Sequence, residues 1–182
     1  MTNRTPRLLT AGAIATALAL LAGCAAPAQN PAAGPTAEAV TQASTVTVDD
    51  AWVKTAEGGM TAAFGIISNM GEIEVNVVGV TTDAASVAEL HETVEDDTGT
   101  MVMRPIEGGF VIPAGTDFPL EPAANHLMLM ELAGPLATGE EADFTLEFAD
   151  GSTLEFTAVV KDYSGANENY VGDGDMDMGG DD

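Results

Sequence analysis

Apolar and polar residues alternate with a period of two through most of the middle of the chain, the pattern of strands that bury one face. Strand candidates are Val46 and Val48 leading to Trp52, the continuously apolar Ala62 to Ile67, Val75 to Val80, Thr100 to Arg104, Phe110 to Ile112, Asp117 to Leu120, His126 to Leu132, Asp143 to Phe148 and Thr153 to Val160. Gly, Pro, Asp and Asn cluster between them, and these residues favour turns for known conformational reasons. Ala84 to Glu89 offers a turn or two of helix, but nothing sustains a 3.6-residue period over a useful length. Short strands at this spacing predict an all-β domain, a sandwich or barrel, running from Thr45 to Tyr163.

The two ends break the pattern. Arg4 and Arg7 precede an apolar run from Leu8 to Leu21 that closes on Leu21-Ala22-Gly23-Cys24. This reads as a secretion signal over residues 1–23, too short and wrongly flanked for a spanning helix. Its last four residues resemble a bacterial lipobox, which implies cleavage before Cys24 and acylation of that cysteine. The expected location is then outside the cytoplasm, lipid-anchored to the outer face of the cell membrane or in the periplasm. Residues 24–44 are Ala, Pro, Gln, Thr and Gly with few large side chains, too little apolar surface to offset chain entropy, and are expected to form a tether. Residues 164–182 are rich in Gly, Asp, Asn and Met and are expected to form a disordered acidic tail.

Charge narrows the partners. Carboxylates outnumber Lys and Arg by 29 to 5, and the formal charge is −24. Loss of the signal removes Arg4 and Arg7, leaving three basic residues against 29 acidic ones, a charge of −26. Such a surface repels nucleic acid. It attracts cations, although solubility alone accounts for a balance of this sign.

The candidate chemistry lies in two places. The chain has only two histidines, His91 and His126, and both lie near methionines. In the strand-like run His126-Leu127-Met128-Leu129-Met130, His126, Met128 and Met130 share one face and Leu127 and Leu129 the other. One face can belong to a core and the other to a site. Met101 and Met103 likewise share a face. A lone histidine or a methionine stripe is usually structural, but imidazole and thioether together form a neutral, soft donor set that selects Cu(I) over calcium, magnesium or manganese.

The run His91, Met101-Val-Met103-Arg-Pro105, Ile112-Pro-Ala-Gly115 and His126-Leu-Met128-Leu-Met130 resembles the periplasmic copper chaperone family known as PCuAC, over essentially all of Thr45 to Tyr163. The resemblance implies a Greek-key, cupredoxin-like (immunoglobulin-like) β-sandwich that binds Cu(I) through His91, Met103, His126 and Met128. It also implies delivery of copper to the dinuclear copper site of cytochrome c oxidase, with that oxidase's copper subunit or its assembly factors as partners. This chain departs from the pattern at Glu92, where many members carry methionine, and in the loop Glu95 to Gly99, which is one residue longer. The longer loop makes Met101 a competitor of Met103, with Met101 and Met130 as candidate accessory ligands. The 22 residues between Met103 and His126 favour Met103.

Rival readings lack parts. His91-Glu92-Thr93-Val94-Glu95 resembles half of a zincin helix without its second histidine. No nucleophile elbow, catalytic cysteine or phosphate loop is present, so an enzyme is not expected. A blue-copper centre needs a thiolate, and the only cysteine, Cys24, lies 67 residues before His91. The tail Asp173 to Asp182 lacks the glycine and closing glutamate of a calcium loop, while Met176 and Met178 make it a candidate second, weak copper locus. The remaining alternatives are a metal-free, surface-tethered sandwich module and a copper-storing or resistance protein that does not donate its metal.

Overall fold

The computed structural model describes residues 40–165 and 169–170. After a 3-10 turn at Ala43–Thr45 come β1 (Val46–Lys54), β2 (Met60–Asn69), β3 (Val75–Thr82), β4 (Ala85–Glu95), β5 (Met101–Pro105), β6 (Phe110–Ile112), β7 (Asp117–Leu120), β8 (His126–Leu132), β9 (Glu141–Phe148), β10 (Thr153–Lys161) and β11 (Asn169–Tyr170). Hydrogen bonding runs in the order β11-β5-β4-β8-β2-β1-β10-β9-β3-β6, with β7 also on β2. Neighbours are antiparallel except β1 with β10 and β5 with β11, which are parallel.

The alternation seen in the sequence closes the sheet into two layers. Leu90, Leu127 and Leu129 from β4 and β8 join Val75, Val77, Phe110, Ile112, Phe144, Leu146 and Phe148 from β3, β6 and β9 in one buried cluster. Each such side chain contributes roughly 1.5–3 kcal/mol by leaving water, which fixes the register, since a one-residue slip would turn every apolar side chain outward. Gly65 shows where the paired strands β1 and β2 crowd: a Cβ there would lie 3.1 Å from Ala51 Cα and from Asp49 O. That close approach accompanies the register shift between Asp49 and Trp52 on β1.

Three expectations change. Ala84 to Glu89 is not helical; from Ala85 onward it is the start of β4, which pairs with β8 along one edge and β5 along the other. Tertiary pairing overrides the local preference of Ala and Glu. The folded part also begins before Thr45, because Ala43 is buried and the backbones of Gln42 and Ala43 donate to Asp150 Oδ2 (2.8 Å) and Ser152 Oγ (3.0 Å). At the other end, Asn169 and Tyr170 pair with Val102 and Met103, so the expected tail 164–182 contributes a strand to the sheet. The expected signal, Cys24, the tether before residue 40 and the Met176–Met178 locus lie outside the described residues.

Candidate metal centre

The side chains of β8 divide as the pattern predicts. Leu127 and Leu129 enter the core, whereas His126 and Met128 point to the opposite face. Yet both are 2% exposed. Their surroundings form a cavity of about 200 Å³ lined by Met60, Ala62 and Phe64 of β2, Met103 of β5, Lys54 and Ala123, as well as His126 and Met128 themselves. No carboxylate is among its lining residues.

His91 stands directly opposite His126 in the β4–β8 register. The ring centroids are 5.5 Å apart and the planes are inclined by 59°, close enough for both rings to reach one ion at metal–nitrogen bonds of about 2.0–2.1 Å. Each ring is held from its far side. His91 Nε2 donates to Glu89 Oε2 at 2.8 Å, and His126 Nδ1 donates to the Ala124 carbonyl at 3.0 Å. A carbonyl only accepts, so the neutral His126 ring carries its lone pair on Nε2; with its proton shared with Glu89, His91 carries its lone pair on Nδ1. Carboxylate and carbonyl partners of this kind fix tautomer and ring orientation in metal-binding histidines. His91 is fully buried, and that desolvation pulls its pKa below the ordinary imidazole value, against the opposing pull of Glu89.

The turn before His126 is closed by its own backbone bonds. Glu121 N donates to Asn125 O at 2.9 Å and Ala124 N to Glu121 O at 3.1 Å, with Ala123 held at φ +64°. A non-glycine residue in that left-handed region costs free energy and persists only where surrounding bonds impose it.

The β4–β5 loop separates the two methionine candidates. Asp96 Oδ1 accepts from Thr98 Oγ1, Thr98 N and Thr100 N at 2.7–2.9 Å, which holds its carboxyl below the usual range with the Thr98 hydroxyl as the largest cause. The loop thereby sets Thr93 opposite Met103 and Glu95 opposite Met101. His91 is opposite Pro105, so at about 3.3 Å per residue Met103 lies one step of roughly 7 Å from that rung and Met101 roughly 13 Å. Met103 is 8% exposed and faces the cavity, whereas Met101 is 41% exposed and is not part of its lining. Met130 is half-buried opposite Met60, a rung beyond Met128. Glu92 points away from the site and pairs with Arg104 at 2.9 Å.

Reading the sequence missed Glu89, Met60 and Phe64. Glu89 lies two residues before His91, on the same face of a strand that the pattern did not reveal. Met60, Ala62 and Phe64 alternate along β2 on the face of Met128. Phe64 stands 6.3 Å from the His126 ring and continues into Trp52 (4.5 Å) and Tyr163 (5.3 Å from Trp52), an apolar wall beside the donors. Among the described residues, no three His, Cys, Asp or Glu side chains form a metal cage, so any ion held here would draw on thioethers.

Residues 46–160 match the family model described as "Putative lipoprotein LpqE-like". The chain belongs to the LpqE-like family. A relative from Leifsonia xyli, "Putative lipoprotein Lxx21020", is 47% identical over 174 residues, covering 93% of this chain and 99% of its own. Among solved structures, the LpqE-like fold resembles the apo PCuAC domain of PmoF1 (TM-score 0.55, 18% identity, 65% of this chain and 95% of that one). It also resembles the Cu(I) form of DR1885 from Deinococcus radiodurans (TM-score 0.51, 28% identity, 71% and 84%). The expected cupredoxin-like β-sandwich is therefore the fold of this LpqE-like protein.

Proposed function

We propose that this LpqE-like protein binds Cu(I) at His91, Met103, His126 and Met128 and passes it to another copper protein outside the cytoplasm. The observation that carries the reading is the buried pairing of His91 with His126, with Met103 and Met128 on the same face of adjoining strands. Two imidazoles and two thioethers bring no charge of their own. A monovalent ion among these neutral donors is therefore less costly to bury than a divalent one. The Cu(I) form of DR1885, 28% identical, supports the choice of metal.

Weak, unprotonated thioether ligands suit a carrier, because a recipient with stronger donors can displace them one at a time. The PCuAC resemblance points to the dinuclear copper site of cytochrome c oxidase as recipient. The Leu21-Ala22-Gly23-Cys24 motif and the lipoprotein description of the family support export and a lipid anchor at Cys24, which would hold the carrier at the outer face of the membrane. No enzymatic step is proposed.

X-ray absorption of the Cu(I)-loaded protein tests the donor set: two nitrogen and two sulfur neighbours are expected, and a shell of oxygen and nitrogen alone contradicts it. Mixing the loaded protein with a copper-free oxidase copper domain tests delivery. Metal should leave for that acceptor, and retention would point to storage.

A further inference from the structure

Beyond the four donors, two thioethers remain on the same face. Met130 follows Met128 by two residues on β8, and Met60 of β2 is its direct cross-strand partner. Along β8 the outward side chains are thus His126 with His91 across from it, then Met128 with Glu89 and Ala62 on either side, then Met130 with Val87 and Met60. Successive rungs on one face lie about 6.6–6.8 Å apart. Burial falls along the row: His126 and Met128 are 2% exposed, while Met130 and Met60 are only half-buried. Met60 also lines the cavity that holds Met103, Met128 and His126. Met60 therefore borders the interior donors while remaining partly open to solvent.

We propose that Met60, which lines the cavity, and Met130 across from it form a second, transient Cu(I) site at the half-buried end of this row, through which the ion enters and leaves the buried site. The proposal rests on the four-donor reading above and extends it. Two thioethers without imidazole hold Cu(I) more weakly than the His91–His126 pair with its methionines, so the ion passes through the second site and resides inside. Each step exchanges one neutral ligand for another, with Met128 as the donor nearest to both rungs. The copper stays monovalent, no proton moves and no redox partner is needed. The row of thioethers also spares the ion from crossing the apolar wall of Phe64 and Trp52 without a ligand.

The test uses the volume-conserving double substitution Met60→Leu with Met130→Leu, which keeps the packing of the rung. Cu(I) affinity is measured by competition with a chromophoric chelator, and loading and release rates by stopped flow against the same chelator. The wild-type affinity should persist in the double variant, while loading and release both slow by on the order of tenfold, the effect of about 1.4 kcal/mol at the barrier. Unchanged rates at unchanged affinity would overturn the proposal. So would a loss of affinity as large as that of Met128→Leu, which would make the pair resident ligands. Failure of the wild-type protein to bind Cu(I) at all would instead remove the four-donor reading and this extension together, an outcome distinct from the other two.

Discussion

His91 and His126 oppose each other as a direct cross-strand pair, with ring centroids 5.5 Å apart, on the face of the sheet that looks away from the core. Two buried imidazoles have little structural reason to meet there. Both positions could be apolar if packing were their only role. The bonds to Glu89 and Ala124 orient the two lone pairs.

Glu89 acts on the site through His91. Replacing it by Gln removes the carboxylate partner of Nε2 and should weaken Cu(I) binding by about 10–100-fold, the usual effect of losing such an orienting group. Nitrogen-15 NMR of the His91 ring should report a mixed tautomer at the same time. Full affinity with an unchanged tautomer would show that Glu89 is only a surface neighbour.

Met103 and Met101 are separated by Cu(I) affinity and stability measured on two variants. Met103→Leu should lower Cu(I) affinity while changing stability by less than about 1.5 kcal/mol. Met101→Leu, at a position 41% exposed, should change neither. A loss confined to the Met101 variant would move the ligand to the strand end.

The two faces of β8 should respond oppositely. Leu129 is fully buried in the core, and Leu129→Ala should cost about 2–5 kcal/mol in denaturant unfolding. Met128→Leu should cost little stability but impair metal binding. Full Cu(I) affinity in Met128→Leu would mean that Met128 serves packing alone.

The two-faced character of β8 was legible because His126-Leu-Met-Leu-Met130 alternates without interruption and both histidines are scarce. β4 was not legible: Ala85, Ala88, Glu89 and Leu90 suit a helix as well as a strand, and only pairing with β5 and β8 decides between them. With β4 hidden, neither Glu89 nor the rung shared by His91 and His126 could be read. The β11 pairing escaped notice because two residues of Asn and Tyr in a polar stretch carry no period. Met60 lies just before the strand pattern that starts at Ala62, and its place beside Met128 comes only from the β2–β8 register.

The pH dependence follows from burial. The folded-state pKa of His91 is depressed below 6.5, so the folded protein resists protonation there more than the unfolded chain does. The stability tied to neutral His91 is fully present above pH 6.5 and is lost as pH falls through the lower folded pKa. Proton competition with Cu(I) at this residue is likewise delayed to below pH 6.5. Denaturant midpoints of the metal-free protein should be flat from pH 8 to 7 and decline below about 6.5, and His91→Gln should reduce that decline. A midpoint that rises on acidification over the same range would contradict the sign.

The central claim is tested most directly by titrating the purified protein with Cu(I) under a competing chelator, alongside the His91→Ala, His126→Ala double variant. The wild-type protein is expected to take up one tightly held equivalent and the double variant none. No stoichiometric uptake by the wild-type protein, or equal uptake by both, would contradict it.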